Sequence, residues 1–297
     1  MRNLFLALML LPVGPAGAGP RDVAVLVRFE VPVYARFADR FARACDCRVR
    51  IIRLGDDPAA AAREVRAAEP GAVMAVGRSG LRAAIDHLGD LPLVHGMVVN
   101  PWTVMPRGHA GAASAPLNIS PSHALTVLRR LSPGVRKVGV IHDPSLTGPA
   151  AAEARRAATA MGMALEVREA GDVAAALKAV DELLTISDAI LLLPDRTVGR
   201  PEVIDHLLLK SLEQRVPVVG LAEKHVRRGA LFALSITVDD LAVEAARLAE
   251  RVLAGERPPG KDPMRRKTTL HLNLRTADRL GLTVPPDVRR EAAVLLR

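Results

Sequence analysis

Short apolar runs alternate with longer amphipathic segments along the chain from Arg21 onward. This alternation is typical of repeated strand–helix units whose strands form a parallel sheet. Strands are predicted in two groups of four, with starts near Val23, Val49, Ala72 and Leu93 and then near Val138, Ala164, Ala189 and Val216. Each start in the second group follows its counterpart by roughly 120 residues. We therefore predict an α/β protein with two Rossmann-like lobes, each built on a parallel sheet.

Proline marks the beginning of several predicted helices, because its missing N–H and its fixed φ suit the first helical turn. Amphipathic segments begin in this way at Pro58, Pro121 and Pro201. By the same reasoning, the helix that ends at Gly162 is predicted to begin at Pro149, with Thr147 or Gly148 as its cap. Residues 142–148 are then expected to form a loop.

Two changes of pattern divide the chain into lobes. The segment 108–121 is small and polar, as a crossover between lobes would be. After Leu234 the alternation gives way to a long helix, a Pro/Gly/Lys-rich segment at 257–267 and a strand near 269–274. We expect hinge crossovers that join an N-terminal lobe of residues 19–117 plus about 237–260 to a C-terminal lobe of residues 118–236 plus about 261–297.

Residues 1–18 have the pattern of a cleavable secretory signal peptide. They begin with a basic residue, continue with an apolar run at 4–13, and end with Ala16 and Ala18 in an A-x-A arrangement. No cysteine stands at the cleavage point, so lipidation is not expected. No other stretch approaches the roughly 20 apolar residues that a transmembrane helix needs. The sequence thus predicts a periplasmic mature protein that is not a lipoprotein.

The composition is that of an ordinary globular protein, since 49% of the 297 residues are hydrophobic and 25% are charged. The formal net charge of +9 could indicate a nucleic acid, an anionic lipid or an acidic protein as partner. Aromatic residues for base stacking make up only 2%, however, and the arginines are spread along every helix. We favour an arginine-rich solvated surface and expect a monomer with no nucleic-acid partner.

The sequence offers little for a metal, a cofactor or catalysis. The eight histidines form no H-x-H or H-x-x-x-H pair. Cys45 and Cys47, separated by one residue near the end of a predicted helix, have poor geometry for a disulfide and are too few for a structural metal. Neighbouring thiols cannot serve a two-cysteine racemase, and no Ser–His–Asp order is recognisable. We expect no metal, no cofactor and no catalytic residue.

Loops at the carboxyl ends of the predicted strands form the expected ligand site, because ligands of open parallel sheets bind there. Facing lobes would place these loops on opposite walls of one cleft, with the crossovers acting as hinges. The loops supply Phe29 and Glu30, residues 77–80, residues 100–102 beginning with Asn100, residues 142–148, residues 195–197 and residues 223–225.

Three of these positions have alternatives that the sequence leaves open. Ser79 lies in GRSG, one residue short of the G-x-S-x-G nucleophile motif, so we favour a helix cap that is compatible with ligand contact. Asp143 precedes a proline and could equally bond its own backbone in a turn or contact the ligand. Asp195 precedes Arg196 and could form a surface ion pair, although its position at a strand end favours the cleft.

Motifs in both halves of the chain occur in an order that resembles a known family. In the second half they are RKVGVIHDPS, GDVAAALKAV, DAILLLPDRTV, RVPVVGLAEKHVRRGAL and LHLNLRTADRLGLTVPP. In the first half, PGAVMAVGRSGLRAA and LPLVHGMVVNP also fit. Together they resemble the substrate-binding proteins of ABC transporters, in the group that includes tryptophan- and other aromatic-amino-acid-binding members with a type I periplasmic-binding-protein fold.

This resemblance implies that the polar ligand contacts come from the strand-end loops. The candidates that it adds are Ser79, Gly80, Ser145, Thr147, Asp195, Thr197 and Glu223. Hydroxyls and helix N-termini would hold the carboxylate of an amino-acid-like ligand, while Asp195 or Glu223 would pair with its ammonium. The chain departs from the family at Leu234 and Ser235, where members often place a tyrosine near the hinge.

The function that the resemblance implies is solute capture without chemistry. A periplasmic solute-binding protein of an ABC-type uptake system would close its lobes around a small amino-acid-like or carboxylate ligand. It would then present the closed form to an ABC permease in the inner membrane. The alternative is a ligand-sensing or adaptor protein of the same fold that serves a periplasmic sensor domain without transport.

Overall fold

The computed structural model describes residues 21–105, 112–256 and 267–296. The strands are β1 (Asp22–Val27), β2 (Arg48–Arg53), β3 (Ala72–Val76), β4 (Leu93–Gly96), β5 (Ala113–Ala115), β6 (Lys137–His142), β7 (Ala164–Glu169), β8 (Ala189–Leu191), β9 (Val218–Gly220), β10 (Phe232–Ser235), β11 (Thr269–Asn273) and β12 (Ala292–Leu296). The helices are α1 (Pro32–Ala44), α2 (Pro58–Ala67), α3 (Gly77–His87), α4 (Pro121–Leu131), α5 (Pro144–Ala160), α6 (Val173–Ile186), α7 (Pro201–Glu213), α8 (Glu223–Arg227), α9 (Val238–Leu253), α10 (Leu274–Arg279) and α11 (Pro286–Glu291), with a 3-10 turn at Pro101–Thr103. The predicted signal peptide lies outside the described residues.

The first lobe is a five-stranded parallel sheet in the order β2-β1-β3-β4-β5, covered on both faces. Its central strands are continuously apolar because both of their faces are buried. In β1, Val23 and Val25 pack with α1 and α9 on one side, whereas Ala24 and Leu26 pack with α2 and α3 on the other. Helix α9 therefore belongs to the core of the first lobe, although it follows β10 of the second sheet in the chain.

The second lobe is a seven-stranded sheet in the order β12-β11-β10-β9-β8-β6-β7. Alternate residues of β6 again face opposite layers. Val138 and Val140 pack with α4 and α5, whereas Ile141 packs with α6 and α7. The expectation of two Rossmann-like α/β lobes is confirmed, because each sheet lies between two helical layers.

One strand pair corrects the expectation that both sheets are wholly parallel. Strands β10 and β11 are antiparallel, with Phe232 opposite Leu272 and Ser235 opposite Thr269. The first residue of β11 lies beside the last residue of β10, so the chain re-enters the second sheet next to the carboxyl end of β10. A strand that begins beside the carboxyl end of β10 can pair with it only in the antiparallel direction.

The beginnings of two helices differ from those predicted. Helix α5 begins at Pro144, with the Asp143 side chain as its cap, and its backbone is non-helical only at Thr147. Pro149 therefore lies in the first turn after a kink and does not begin the helix. Helix α3 begins directly after Val76 without a side-chain cap, so Ser79 lies inside the first turn and is not the predicted cap.

A disulfide joins Cys45 and Cys47, which corrects the expectation that their spacing is unsuitable. Helix α1 ends at Ala44 and the backbone becomes extended at Cys45. The two Cα atoms consequently lie 5.2 Å apart, within the usual disulfide range of about 4.4–6.8 Å. The expectation was wrong because it carried helical geometry past Ala44.

Candidate functional site

The loop that follows β4 in the first lobe makes hydrogen bonds to the second lobe. Asn100 Nδ2 donates a hydrogen bond of 2.7 Å to the carbonyl oxygen of Pro194, and Trp102 Nε1 donates one of 3.0 Å to that of Leu146. The Trp102 ring also packs against the core of the second lobe. The strand-end loops of the two sheets therefore face each other, as expected for a cleft.

Asn100 ties this loop to the first crossover. Its φ of +50° is left-handed, a conformation that asparagine tolerates better than most residues. Its backbone N–H donates to Asn118 Oδ1 at 2.9 Å, and Asn118 Nδ2 donates to Asn100 Oδ1 at 2.7 Å. Asn100 is only 6% exposed, and its side chain bonds to the first crossover at Asn118 and to the second lobe at Pro194.

Five of the residues predicted to contact a ligand form one hydrogen-bonded network in the second lobe. They are Asp143, Ser145, Thr147, Asp195 and Thr197. The network joins the loop after β6 to the loop after β8. The loops at the carboxyl ends of β6 and β8 are therefore adjacent, and ligand contact by these residues stays a prediction.

Asp195 is the centre of this network and is 4% exposed. Its Oδ2 accepts from the backbone N–H of Asp143 at 2.8 Å and from Thr147 Oγ1 at 2.5 Å. Its Oδ1 accepts from the N–H groups of Thr197 at 2.8 Å and Val198 at 3.1 Å. Both oxygens are occupied by donors from the protein, so Asp195 is placed to hold two loops together.

Asp143 is held in the same way at the beginning of α5. Its Oδ1 accepts from Ser145 Oγ at 2.6 Å and from the Ser145 backbone N–H at 2.9 Å, while Thr197 Oγ1 donates to Oδ2 at 3.3 Å. The Ser145 hydroxyl is the largest cause that lowers the pKa of this carboxyl below its usual range. Of the two alternatives for Asp143, the structure shows the bonds to its own backbone turn.

The candidates in the first lobe lie around two separate loops. Phe29 is 37% exposed beneath the Arg53 guanidinium, 5.7 Å from the ring centroid, and Glu30 pairs with the same arginine at 3.7 Å. Ser79 is exposed at the beginning of α3. Gly80 is buried where a Cβ would lie 3.1 Å from the Leu26 carbonyl oxygen, so its small size is needed for packing.

A cavity of about 300 Å³ lies beside the two crossovers that leave β5 and β10. Most of its lining comes from the strand ends of the second lobe and from the crossovers, and the first lobe supplies Val99. The lining residues are Val99, Leu117, Asn118, Ile119, Pro121, Ala124, Leu191, Leu192, Leu193, Pro194, Gly220, Leu221, Leu234, Ser235 and Ile236. None of these was a ligand candidate from the sequence.

In the part of the lining that the structure describes, the residues with polar side chains are Asn118 and Ser235. Behind Ser235 lie an imidazole and a carboxylate: Ser235 Oγ is 2.7 Å from His271 Nε2, and His271 Nδ1 is 3.7 Å from Glu223 Oε2. The other Glu223 oxygen accepts from the Arg227 guanidinium. This order resembles a hydrolase triad, but 3.7 Å is beyond hydrogen-bond distance and Arg227 already holds the carboxylate. We interpret the series as a polar end of the cavity.

The structure also limits which other sites the described part of the chain can form. In residues 21–105, 112–256 and 267–296, no helix is long and apolar enough to cross a membrane. Nor do these residues bring together three or more His, Cys, Asp or Glu side chains in a group that could hold a metal ion.

A family model described as ABC transporter substrate binding protein matches residues 119–295, which is more than half of the chain. The chain belongs to this family. The resemblance that the motifs indicated is thereby confirmed, and the protein is an ABC-type substrate-binding protein. No curated protein matches it.

Solved structures of substrate-binding proteins share the fold. The ligand-free, open structure of a substrate-binding protein with adhesive properties from Clostridium difficile is 15% identical, with a TM-score of 0.70 over 93% of this chain and 99% of that one. An ABC domain in complex with L-Trp from Streptococcus pneumonia is 18% identical, with a TM-score of 0.60 over 94% and 100%. A sugar-binding protein of a sugar ABC transporter from Bacillus halodurans is 14% identical, with a TM-score of 0.52 over 84% and 97%. These likenesses support the type I periplasmic-binding-protein fold.

Proposed function

We propose that this protein is the periplasmic solute-binding component of an ABC-type uptake system and that its ligand binds in the cavity beside the crossovers. The observation that supports the proposal most strongly is the position of the cavity. Its walls combine strand ends of the second lobe, both crossovers and Val99 of the first lobe. A ligand there touches both lobes and the segments about which they would rotate.

Hinge closure follows from that position. A ligand that contacts both lobes only when they are closed binds the closed state more tightly and shifts the population toward it. The closed form is then what an inner-membrane permease recognises. The protein breaks no bond in this mechanism, needs no cofactor and acts as a monomer.

The lining favours a ligand with a largely apolar body. A sugar would present hydroxyls on every side, and each buried hydroxyl needs a hydrogen-bond partner. Among the described lining residues, the polar side chains are those of Asn118 and Ser235. The sequence favoured an amino-acid-like or carboxylate ligand with Asp195 or Glu223 on its ammonium, whereas the lining of the cavity supports an apolar body and neither of these carboxylates lines it.

Val99→Trp is expected to abolish ligand binding without unfolding the protein. Val99 is 44% exposed and lines the cavity, so a larger side chain has room and occupies the space that the ligand needs. Thermal-shift screening of the mature protein should first find a compound among amino acids, small carboxylates and nucleosides. At a hundredfold excess over its Kd, that compound should raise the melting temperature by about 5–10 °C.

The matched control is Leu209→Trp, which adds the same ring at a residue of α7 that is 59% exposed and absent from the cavity wall. We expect this variant to keep the full thermal shift, whereas Val99→Trp loses it and melts at the same temperature as the unliganded wild type. An undiminished shift in Val99→Trp would place the ligand elsewhere.

A further inference from the structure

We propose that the ligand of this cavity is an uncharged, mostly apolar molecule that presents one O–H or N–H donor to Ser235. This inference rests on the proposed function, because it concerns the same cavity. It goes further by naming the chemical class, and it differs from the amino-acid-like ligand that the family resemblance implies.

The first reason is the absence of a charged partner. None of the described residues that line the cavity has an ionised side chain. The two carboxylates expected to meet an ammonium are engaged elsewhere, since Asp195 accepts four hydrogen bonds and Glu223 is held by Arg227. A buried charge without a partner is costly, so a zwitterion or a carboxylate is disfavoured.

The second reason is the direction of the hydrogen bond between Ser235 and His271. Glu223 Oε2, 3.7 Å from Nδ1, favours the tautomer with its proton on Nδ1, because a lone pair there would face a negative charge. Nε2 is then an acceptor, and the Ser235 hydroxyl 2.7 Å away must donate to it. The serine oxygen therefore offers its lone pairs to the cavity.

The third reason is that Asn118, the other polar side chain of the lining, already uses both ends of its amide. Its Nδ2 donates to Asn100 Oδ1, and its Oδ1 accepts from the Asn100 backbone N–H. Ser235 is thus the polar lining side chain best placed to bond a ligand, and in this tautomer it accepts. A ligand donor completes the site, whereas a ligand acceptor would meet an oxygen lone pair.

The same geometry predicts how pH affects recognition. Burial lowers the pKa of His271, the charge of Glu223 opposes that effect, and the charge of Arg227 adds to it; both charged groups belong to α8. The imidazole is neutral near neutral pH. When pH falls below its pKa, Nε2 gains a proton and donates to Ser235, whose hydroxyl then turns toward the cavity as a donor. Donor ligands should bind more weakly in acid.

Calorimetry with matched probes tests this inference on the mature protein. The probes are indole with 1-methylindole and 4-ethylphenol with 4-ethylanisole, pairs in which a methyl group replaces the donor hydrogen, and L-tryptophan as a zwitterion. We expect the donor of a pair to bind at least about tenfold more tightly than its methylated partner, since an unpaired buried acceptor is expensive. We also expect indole to bind more tightly than L-tryptophan.

Ser235→Ala should remove the difference between the members of a pair while both still bind, because the apolar walls are unchanged. It should also remove the loss of indole affinity on acidification that we expect of the wild type. This small substitution at a half-buried position keeps the core intact, and an unchanged melting temperature would verify that.

Equal affinity within both pairs, or tighter binding of L-tryptophan than of indole, would overturn the proposed ligand class and leave the solute-binding function standing. The same conclusion would follow if neither pair bound while another compound of the wider screen did. If no compound of any class bound the wild type, the solute-binding function would fall together with the ligand class.

Discussion

Asp195→Ala is expected to lower the free energy of unfolding by about 3 kcal/mol. The substitution removes the acceptor of four hydrogen bonds, from the backbone N–H groups of Asp143, Thr197 and Val198 and from the Thr147 hydroxyl. Since Asp195 is 4% exposed, water cannot readily replace the lost oxygens. Urea unfolding of the mature protein measures the change.

Two further variants separate the network from general disruption of the loop. Asp195→Asn keeps the shape and one acceptor oxygen but turns an amide NH2 group toward donors, so we expect it to lose a comparable or slightly smaller amount of unfolding free energy. Arg196→Ala alters the exposed neighbour in the same loop and should change stability by less than about 0.5 kcal/mol. A loss below 1 kcal/mol for Asp195→Ala would contradict the assignment of this carboxylate to loop clamping.

Phe41→Ala is expected to lower the free energy of unfolding by about 3–5 kcal/mol. Phe41 is fully buried, and its ring centroid lies 6.4 Å from that of Phe37. Both rings pack in the cluster where α1 meets the alanine face of α9. Helix α9 follows β10 of the second lobe in the chain. The stability of the first lobe therefore depends on a helix from a late part of the sequence.

Phe29→Ala is the matched control, because it deletes the same ring at a position that is 37% exposed. It removes the contact with the Arg53 guanidinium, and we expect a loss of no more than about 1 kcal/mol. Differential scanning calorimetry compares the two variants. Equal losses would show that the contact between α1 and α9 does not govern the stability of the first lobe.

The sequence predicts the fold where local patterns are strong. Strands β1 and β3 contain unbroken apolar runs at 23–27 and 72–76, so their existence follows from burial on both faces. Three strands were missed because their patterns are weak or ambiguous. Strand β5 is three small residues inside a segment that resembles a linker, β10 lies next to a change of pattern, and β12 follows a short helix at the end of the chain.

Sequence patterns brought strand-end loops together, but they did not mark the cavity, since none of its lining residues was a ligand candidate. Strand-end geometry brought Asp143, Thr147 and Asp195 together as expected. Whether these side chains bond to one another or to a ligand depends on which donors point at Asp195. Those donors include groups of Asp143 and Thr147, about 50 positions away in the chain, so the sequence does not reveal them. The polar lining residues Asn118 and Ser235 are far apart in the chain, on the crossover after β5 and at the end of β10, so no local motif marks the cavity.

The most direct test of ligand capture beside the crossovers is a crystal structure of the mature protein with the compound that raises its melting temperature most. We expect ligand density in the cavity bounded by Asn118, Leu192 and Ser235, with Val99 in contact from the first lobe. Density at the loops of Asp143 and Thr197, with the cavity empty, would contradict this.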